Sequence, residues 1–226
     1  MSAMEPGAAA ASDLPNAAAL DLLGRRYSVG PKNLAPPGPD AVHWQRAADL
    51  ALRAPDHGGL CPFRFVVVED SQRPALSVLF ARGATQRGQG AADIEKARAR
   101  AFNGPGLAAL MARVRDDVPG VPPHEQWLCV GAALMNFVNA LHLMGFGAKA
   151  LSGASVSDPA VSAAFCGQGE VLASWIIAGR PRGAAHPKGE AMSSPAIGHR
   201  PSAIGHWAGP SGVQRGSGVN TAVALC

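Results

Sequence analysis

RAPDHGGLCPFRF, residues Arg53 to Phe65, links a helix-like pattern to a strand-like one through a proline, paired ionisable side chains and two adjacent glycines. On the helix side, Asp40 to Leu52 carries Gln45, Arg46 and Asp49 in one polar stripe that Arg53 continues, with Val42, Ala47, Leu50 and Ala51 on the apolar remainder. Pro55 ends the helix, because the residue before a proline is pushed out of the helical region. On the far side, Phe63 to Glu69 is aromatic and β-branched and predicts a strand entering a buried sheet. Arg53 and His57 therefore sit at the mouth of a packed element. Gly58 and Gly59 beside them leave room for a ligand to approach the backbone.

Across the whole chain, 226 residues with 47% hydrophobic and 16% charged side chains describe a globular protein. That length makes one domain with appendages, or a smaller domain that completes its core by pairing with a copy of itself. The net charge is +4, but the twenty Lys and Arg are dispersed and aromatics make up only 5%, so nucleic acid is not the expected partner. Cys61, Cys129, Cys166 and Cys226 form no CxxC and no disulfide-like spacing, which predicts reduced thiols and a cytoplasmic location. No signal peptide is evident. The longest apolar run, Leu128 to Ala148, holds Asn136, Asn139 and His142 and lacks flanking basic loops, so it predicts a helix buried in protein or at a dimer seam rather than a membrane span.

In chain order, 1–16 is an alanine-rich stretch without period, read as a loose arm. Ala17 to Arg26 is a short helix, and Pro31 to Pro39 an extended connector. Ser71 to Phe80 predicts a helix, Gly83 to Ala92 a mobile surface segment or lid, and Asp93 to Arg100 a charged helix with a solvated face. Leu107 to Val114 has alanines and a methionine that favour helix, but its length and the preceding Gly-Pro-Gly favour strand, and strand is the reading. His124 to Met144 is the long apolar helix, Gly145 to Gly153 a glycine-rich loop, Asp158 the N-cap of a helix ending near Gly167, and Val171 to Ala178 a central strand. From Ala184 to Cys226 the composition turns to Gly, Ser, Pro and His, with AIGH repeated, and predicts a disordered tail. The folded domain is thus expected over residues 17–183.

Arg25, Arg26 and Ser28 can grip a phosphate through a guanidinium fork and a hydroxyl, or the arginines can simply complement a helix dipole. Gly145, Gly147 and Ala150 fit a loose GxGxxA pattern, but they follow a helix instead of a strand, the reverse of the dinucleotide-binding context. His124 and Glu125 begin no HExxH, and no GxSxG occurs, so neither a metal nor acyl-transfer chemistry is expected.

Three motifs in order carry a family resemblance: Arg26-Tyr27-Ser28-Val29, RAPDH followed by Pro62-Phe63-Arg64-Phe65-Val66-Val67-Val68, and GFGAKALSG from Gly145 to Gly153. Over about Ala17 to Arg182 the chain resembles the FMN-dependent nitroreductases, in the branch of small NAD(P)H nitroreductases with RAPDH. The resemblance implies an α+β fold, with a central, mainly antiparallel sheet flanked by helices, in an intertwined homodimer with FMN at the subunit interface. It assigns FMN contacts to Arg26, Tyr27 and Ser28, to Arg53 and His57, and to Ala150, Leu151, Ser152 and Gly153, the last group reaching the flavin from the partner. Ala150 stands where many relatives have tryptophan, and Phe63 where the usual Pro-Trp has its ring.

The activity so implied is electron transfer from NADH or NADPH through FMN to a small-molecule acceptor such as a nitroaromatic or quinone. The flavin carries the chemistry, so no catalytic side chain is required, and Arg53 or Lys32 is the expected source of positive charge beside the reduced ring. The alternative is a non-catalytic flavin-binding protein on the same scaffold, motivated by Ala150 and the aberrant tail. Neither a nucleic acid nor a membrane is an expected partner.

Overall fold

β3 (Gly106–Ala112), GLAALMA, is buried at all seven positions and forms the centre of the fold in the computed structural model, which describes residues 15–183. The tail expected from 184 to 226, and all but the last two residues of the arm expected over 1–16, lie outside the described residues. A strand covered on both faces shows no alternation in its sequence, only small and aliphatic side chains.

Around it, in chain order, lie α1 (Ala17–Gly24), β1 (Leu34–Ala35), α2 (Ala41–Ala51), β2 (Phe63–Val67), α3 (Arg73–Gln86), α4 (Ala91–Arg100), α5 (Pro123–Leu143), β4 (Gly147–Leu151), α6 (Pro159–Phe165) and β5 (Val171–Pro181). The strands form one sheet in the order β1-β5-β3-β2, and β4 also pairs with β5. Every named pairing is antiparallel, as expected. Side chains alternate along β3 and β5 and build two cores. Ala108, Leu110, Ala112, Ile176 and Ala178 face Trp44 of α2 and Phe137 of α5. Leu107, Ala109, Met111, Trp175 and Ile177 face Leu76 and Phe80 of α3, Ala97 of α4 and Val161 of α6.

Three expectations are corrected. The predicted loop at Gly145 to Gly153 contains β4, because Gly147 lets the strand approach Val29 so closely that a β-carbon would sit 2.7 Å from Val29 Cγ2. The lid expected at Gly83 to Ala92 is mostly helix: α3 runs to Gln86 and α4 starts at Ala91. Gly83 and Ala84 are buried, and Gly83 leaves space for the Asp158 carboxylate, which caps α6 through Ala160 N and Val161 N and pairs with Arg87 at 2.9 Å. On α2, Trp44, Ala47 and Ala51 are buried, while Val42 and Leu50 are exposed. On α5, Cys129, Val130, Ala133, Phe137 and Leu141 face inward, but Leu128, Gly131, Met135 and Leu143 make an exposed stripe at helical spacing.

The space at Gly83 sets the sign of a substitution. In an open helix Gly→Ala gains about 1 kcal/mol. Here the added methyl overlaps the Asp158 carboxylate, and overpacking of this kind costs about 1–3 kcal/mol. Gly83→Ala is therefore expected to lower the urea midpoint, with a net loss of up to about 2 kcal/mol, and a raised midpoint would refute the close packing.

Arg64 on β2 clamps the turn that leads into β5, donating through Nε to Glu170 Oε1 at 2.7 Å and through Nη2 to the Phe165 carbonyl at 2.7 Å. Glu170 also accepts from Gly167 N. The Arg64 bond comes first among the causes that hold the Glu170 carboxyl down to about 2, against 4.5 for a free carboxyl. A depressed folded-state pKa stabilises above the unfolded value and is lost as pH falls through the folded one. Part of the unfolding free energy should therefore disappear between pH 4.5 and about 2. Urea melts across that window should show a shallower acid loss for Arg64→Gln than for the parent.

Candidate functional site

The Arg53 to Phe65 junction is organised by Asp56, whose carboxylate accepts from Leu60 N at 3.1 Å and Cys61 N at 2.7 Å. The loop it closes has Gly58 at φ 78°, Gly59 at φ 62° and Cys61 at φ 45°. Left-handed backbone explains the glycine pair directly, since only glycine adopts it without a β-carbon penalty. Val121 Cγ2 would lie 3.1 Å from a β-carbon at Gly58, while Gly59 faces open space. His57 Nδ1 lies 2.7 Å from Glu125 Oε2 in the first turn of α5. Arg53 is exposed and forms no ion pair among the described residues.

The first and third motifs meet elsewhere. Ser28 forms a parallel bridge with Ala148 on β4, and Val29 N donates to the Ala148 carbonyl at 3.1 Å. Arg25, Arg26 and Tyr27 line a cavity of about 150 Å³ with His142, whose Nε2 donates to the Leu22 carbonyl at 2.7 Å. Further along β4, Leu151, Ser152 and Gly153 line a larger cavity of about 470 Å³ with Phe80, Arg100 and Trp175. Ala150 is exposed and does not line it. From Ala148 to Ser152 the extended chain covers about 13 Å.

The second motif is far from the first. It is tied to Glu125, near the start of α5, whereas the Arg26 cavity includes His142, near its end. Those residues are 142 − 125 = 17 apart, about 26 Å of helix at 1.5 Å per residue. Within one chain, then, Ser28 pairs with the strand that Ser152 and Gly153 follow, and His57 stands about 26 Å along α5 from the Arg26 cavity. The resemblance assigns the reach from the partner to Ser152 and Gly153. Within one chain, the loop of Arg53 and His57 lies at the opposite end of α5 from the Arg26 cavity.

Arg100, Asn103 and Gln89 also line the larger cavity, and the sequence motifs single out none of them. By charge pattern alone Arg100 belongs to a solvated face. Its signal is its position at the end of α4 before Asn103-Gly104-Pro105, a helix-to-strand junction like the one at Arg53. Of the two cations named from the sequence, Lys32 adjoins Pro31 at the cavity and Arg53 is remote.

An antiparallel sheet between two helical layers, with a cavity at either end of β4, defines an α+β scaffold. The sequence profile of the Nitroreductase family matches residues 23–180. "Putative NAD(P)H nitroreductase YdjA" of Escherichia coli K12 is 32% identical over 165 residues, covering 73% of this chain and 88% of that one. "Putative NAD(P)H nitroreductase" of Haemophilus influenzae is 33% identical over 147 residues, covering 65% and 79%. Among solved structures, a nitroreductase-like family protein from Bacillus cereus superposes with a TM-score of 0.61 at 18% identity, covering 84% of this chain and 97% of that one. The FMN- and NADPH-dependent nitroreductase NfnB from sphigopyxis sp. strain HMH gives 0.53 at 20% identity, covering 72% and 88%. The chain belongs to the nitroreductase family, and it is an oxidoreductase.

Proposed function

We propose that the protein is an FMN-dependent NAD(P)H oxidoreductase, passing electrons to a nitroaromatic, quinone or similar small acceptor, and that it works as a homodimer with two shared sites. The observation that carries this reading is β4 itself, which starts beside Ser28 and the Arg26 cavity at Gly147 and Ala148 and ends at Leu151, followed by Ser152 and Gly153 in the cavity of Arg100. The residues present fit the cofactor. Arg26 and Ser28 offer a fork and a hydroxyl to a phosphate. Gly153 leaves open space where a β-carbon would stand, and Phe80 and Trp175 supply apolar lining. FMN, when bound, supplies the electron-accepting and electron-donating chemistry. Arg100 provides fixed positive charge beside an electron-rich ring, Asn103 and Gln89 offer polar contacts, and the cavity walls limit water.

Two features support the homodimer. α1 has no buried residue, with Leu20, Leu22 and Leu23 exposed, and α5 presents Leu128, Gly131, Met135 and Leu143 outward. Such a contiguous apolar face calls for a partner. A two-fold pairing of α5 with its copy, antiparallel, lays the Glu125 end of one subunit against the His142 end of the other. That arrangement brings Arg53 and His57 to the partner's Arg26–Ser152 track and removes the 26 Å gap of about seventeen helical residues. No helix of the described residues is long and apolar enough to cross a membrane, and the free thiols Cys61, Cys129 and Cys166 accord with a cytoplasmic location.

The test is purification followed by anaerobic titration. A yellow dimer with one FMN per subunit, bleached by NADPH or NADH and recoloured by a nitroaromatic, is the expected result. A colourless protein that ignores added FMN overturns the reading. Retained flavin that stays oxidised under both coenzymes assigns the chain to the non-catalytic alternative.

A further inference from the structure

Beside the Arg53–Cys61 loop lies a polar cavity of about 240 Å³ that the flavin track does not use, lined by Cys61, Arg64, Arg113, Arg115 and Glu170 among others. Its chemistry follows from strand register. Arg64 stands opposite Met111, Phe63 opposite Ala112, and Arg113 N continues the ladder by donating to the Pro62 carbonyl at 2.9 Å. Alternation therefore puts Arg113 on the same face as Met111 and Arg64. Arg115 follows two residues on, and its backbone is fixed at both ends by Gln126. Gln126 Oε1 accepts from Arg115 N at 2.9 Å, and its Nε2 donates to the Arg115 carbonyl at 2.7 Å, with Gln126 only 2% exposed.

Charge does not balance in this cavity. Glu170 is its one acidic lining residue, and it is engaged by Arg64 through both carboxylate oxygens. Arg113 and Arg115 form no ion pair among the described residues. Three guanidiniums facing one space, with only one carboxylate among them, leave an excess of two positive charges on backbones held in place. Asp116 and Asp117 follow Arg115 in the sequence but do not line the cavity. Arg113 acts on Glu170 through space without an ion pair, and with Arg115 it lines a small polar space where two guanidinium forks match a phosphate monoester dianion, whose oxygens accept paired N–H bonds.

We propose that this cavity binds a phosphate monoester, and that the phosphate is the 2′-phosphate of NADPH, so that Arg113 and Arg115 set preference for NADPH over NADH. The assignment to the coenzyme rests on the proposed function, through one structural link. Leu60 and Cys61 line the cavity and belong to the loop that carries His57, which that reading lays against the partner's flavin. A coenzyme with its nicotinamide at the flavin has its adenosine end free to extend along this loop to the arginines.

The test uses FMN-loaded enzyme and the double variant Arg113→Gln, Arg115→Gln, which leaves the Arg64–Glu170 clamp and the flavin track intact. The expected result is a fall of roughly 30-fold or more in the ratio of kcat/KM for NADPH to that for NADH, with NADH turnover unchanged. Calorimetry with 2′,5′-ADP should show binding to the parent and none to the variant, with adenosine 5′-monophosphate and inorganic phosphate weak on both. An unchanged coenzyme ratio, or 2′,5′-ADP binding that survives the double substitution, overturns the proposal. Inorganic phosphate binding as tightly as 2′,5′-ADP overturns the coenzyme assignment in favour of a free-phosphate site. If neither coenzyme bleaches the flavin, the proposed function fails, and the calorimetry still decides whether the arginines bind a 2′-phosphate.

Discussion

Arg73→Met is expected to destabilise the fold by about 3–4 kcal/mol, read as a drop in the urea midpoint, although methionine fills most of the same volume. Arg73 is 4% exposed at the start of α3. Its Nη1 donates to the Gly104 carbonyl at 2.9 Å and, more weakly, to that of Ala101 at 3.4 Å, while Nη2 donates to Pro105 at 3.0 Å. Its Nε lies 3.0 Å from Asp70 Oδ1 but is not aligned to donate, so that contact is Coulombic only. Burial pulls the Arg73 pKa down, and Asp70 opposes it. Asp70 is 90% exposed and loses little when its partner goes. The cost comes from carbonyls left without donors at about 1 kcal/mol or more each. Those carbonyls belong to the segment between α4 and β3, which also carries Asn103 and follows Arg100, so the variant should loosen FMN retention as well. Arg73→Lys keeps the charge but loses the fork and should recover only part of the midpoint. A midpoint for Arg73→Met within 0.5 kcal/mol of the parent, about the spread of an ordinary surface change, would show that the clamp contributes nothing.

The sequence revealed elements wherever local chemistry and burial agree. Asp158 with Pro159, the β-branched run after Phe63 and the long apolar stretch of α5 each announced a cap, a strand and a helix that the structure contains. It misled where packing overrode composition. Glycines at Gly145 to Gly153 look like loop chemistry, yet Gly147 is selected by the closeness of Val29 and lies in a strand. Gly83 looks like the start of a mobile surface segment, yet it serves as a seat for the Asp158 carboxylate at the start of α6, some seventy residues later. The candidate site was legible in the sequence only through loop motifs, and the helical residues beside the cavities were not. Arg26, Ser28, Ser152 and Gly153 stand beside turn and strand signals, whereas Arg100 and Arg73 sit among alternating charges and look like surface. Only the fold shows that one lines a cavity and the other is buried. The distance between the second motif and the first was also invisible, because sequence order carries no information about which end of α5 each reaches.

That distance gives the sharpest test of the shared site. Arg26→Ala removes a charge-assisted phosphate contact and should weaken FMN binding by on the order of 100-fold, with the dimer intact. Arg53→Ala combined with His57→Ala should weaken it as well, by about tenfold or more, since both side chains are exposed and lie outside the core. The decisive measurement mixes the two. If each flavin is held by Arg26–Ser152 of one subunit and Arg53–His57 of the other, a dimer of one Arg26→Ala chain and one doubly substituted chain has two unlike sites. One site collects every substitution and is lost. The other collects none and keeps the parental affinity. Differently tagged chains, co-purified as heterodimers, should bind one FMN per dimer with the parental Kd, although neither parent homodimer holds flavin at that concentration. Were all three motifs drawn from a single chain, every site in the mixture would carry one lesion, and the heterodimer would bind no better than its parents. Recovery of a full-affinity site therefore depends on the geometry that separates Glu125 from His142 along α5, and its absence would draw all three motifs of each site from one chain.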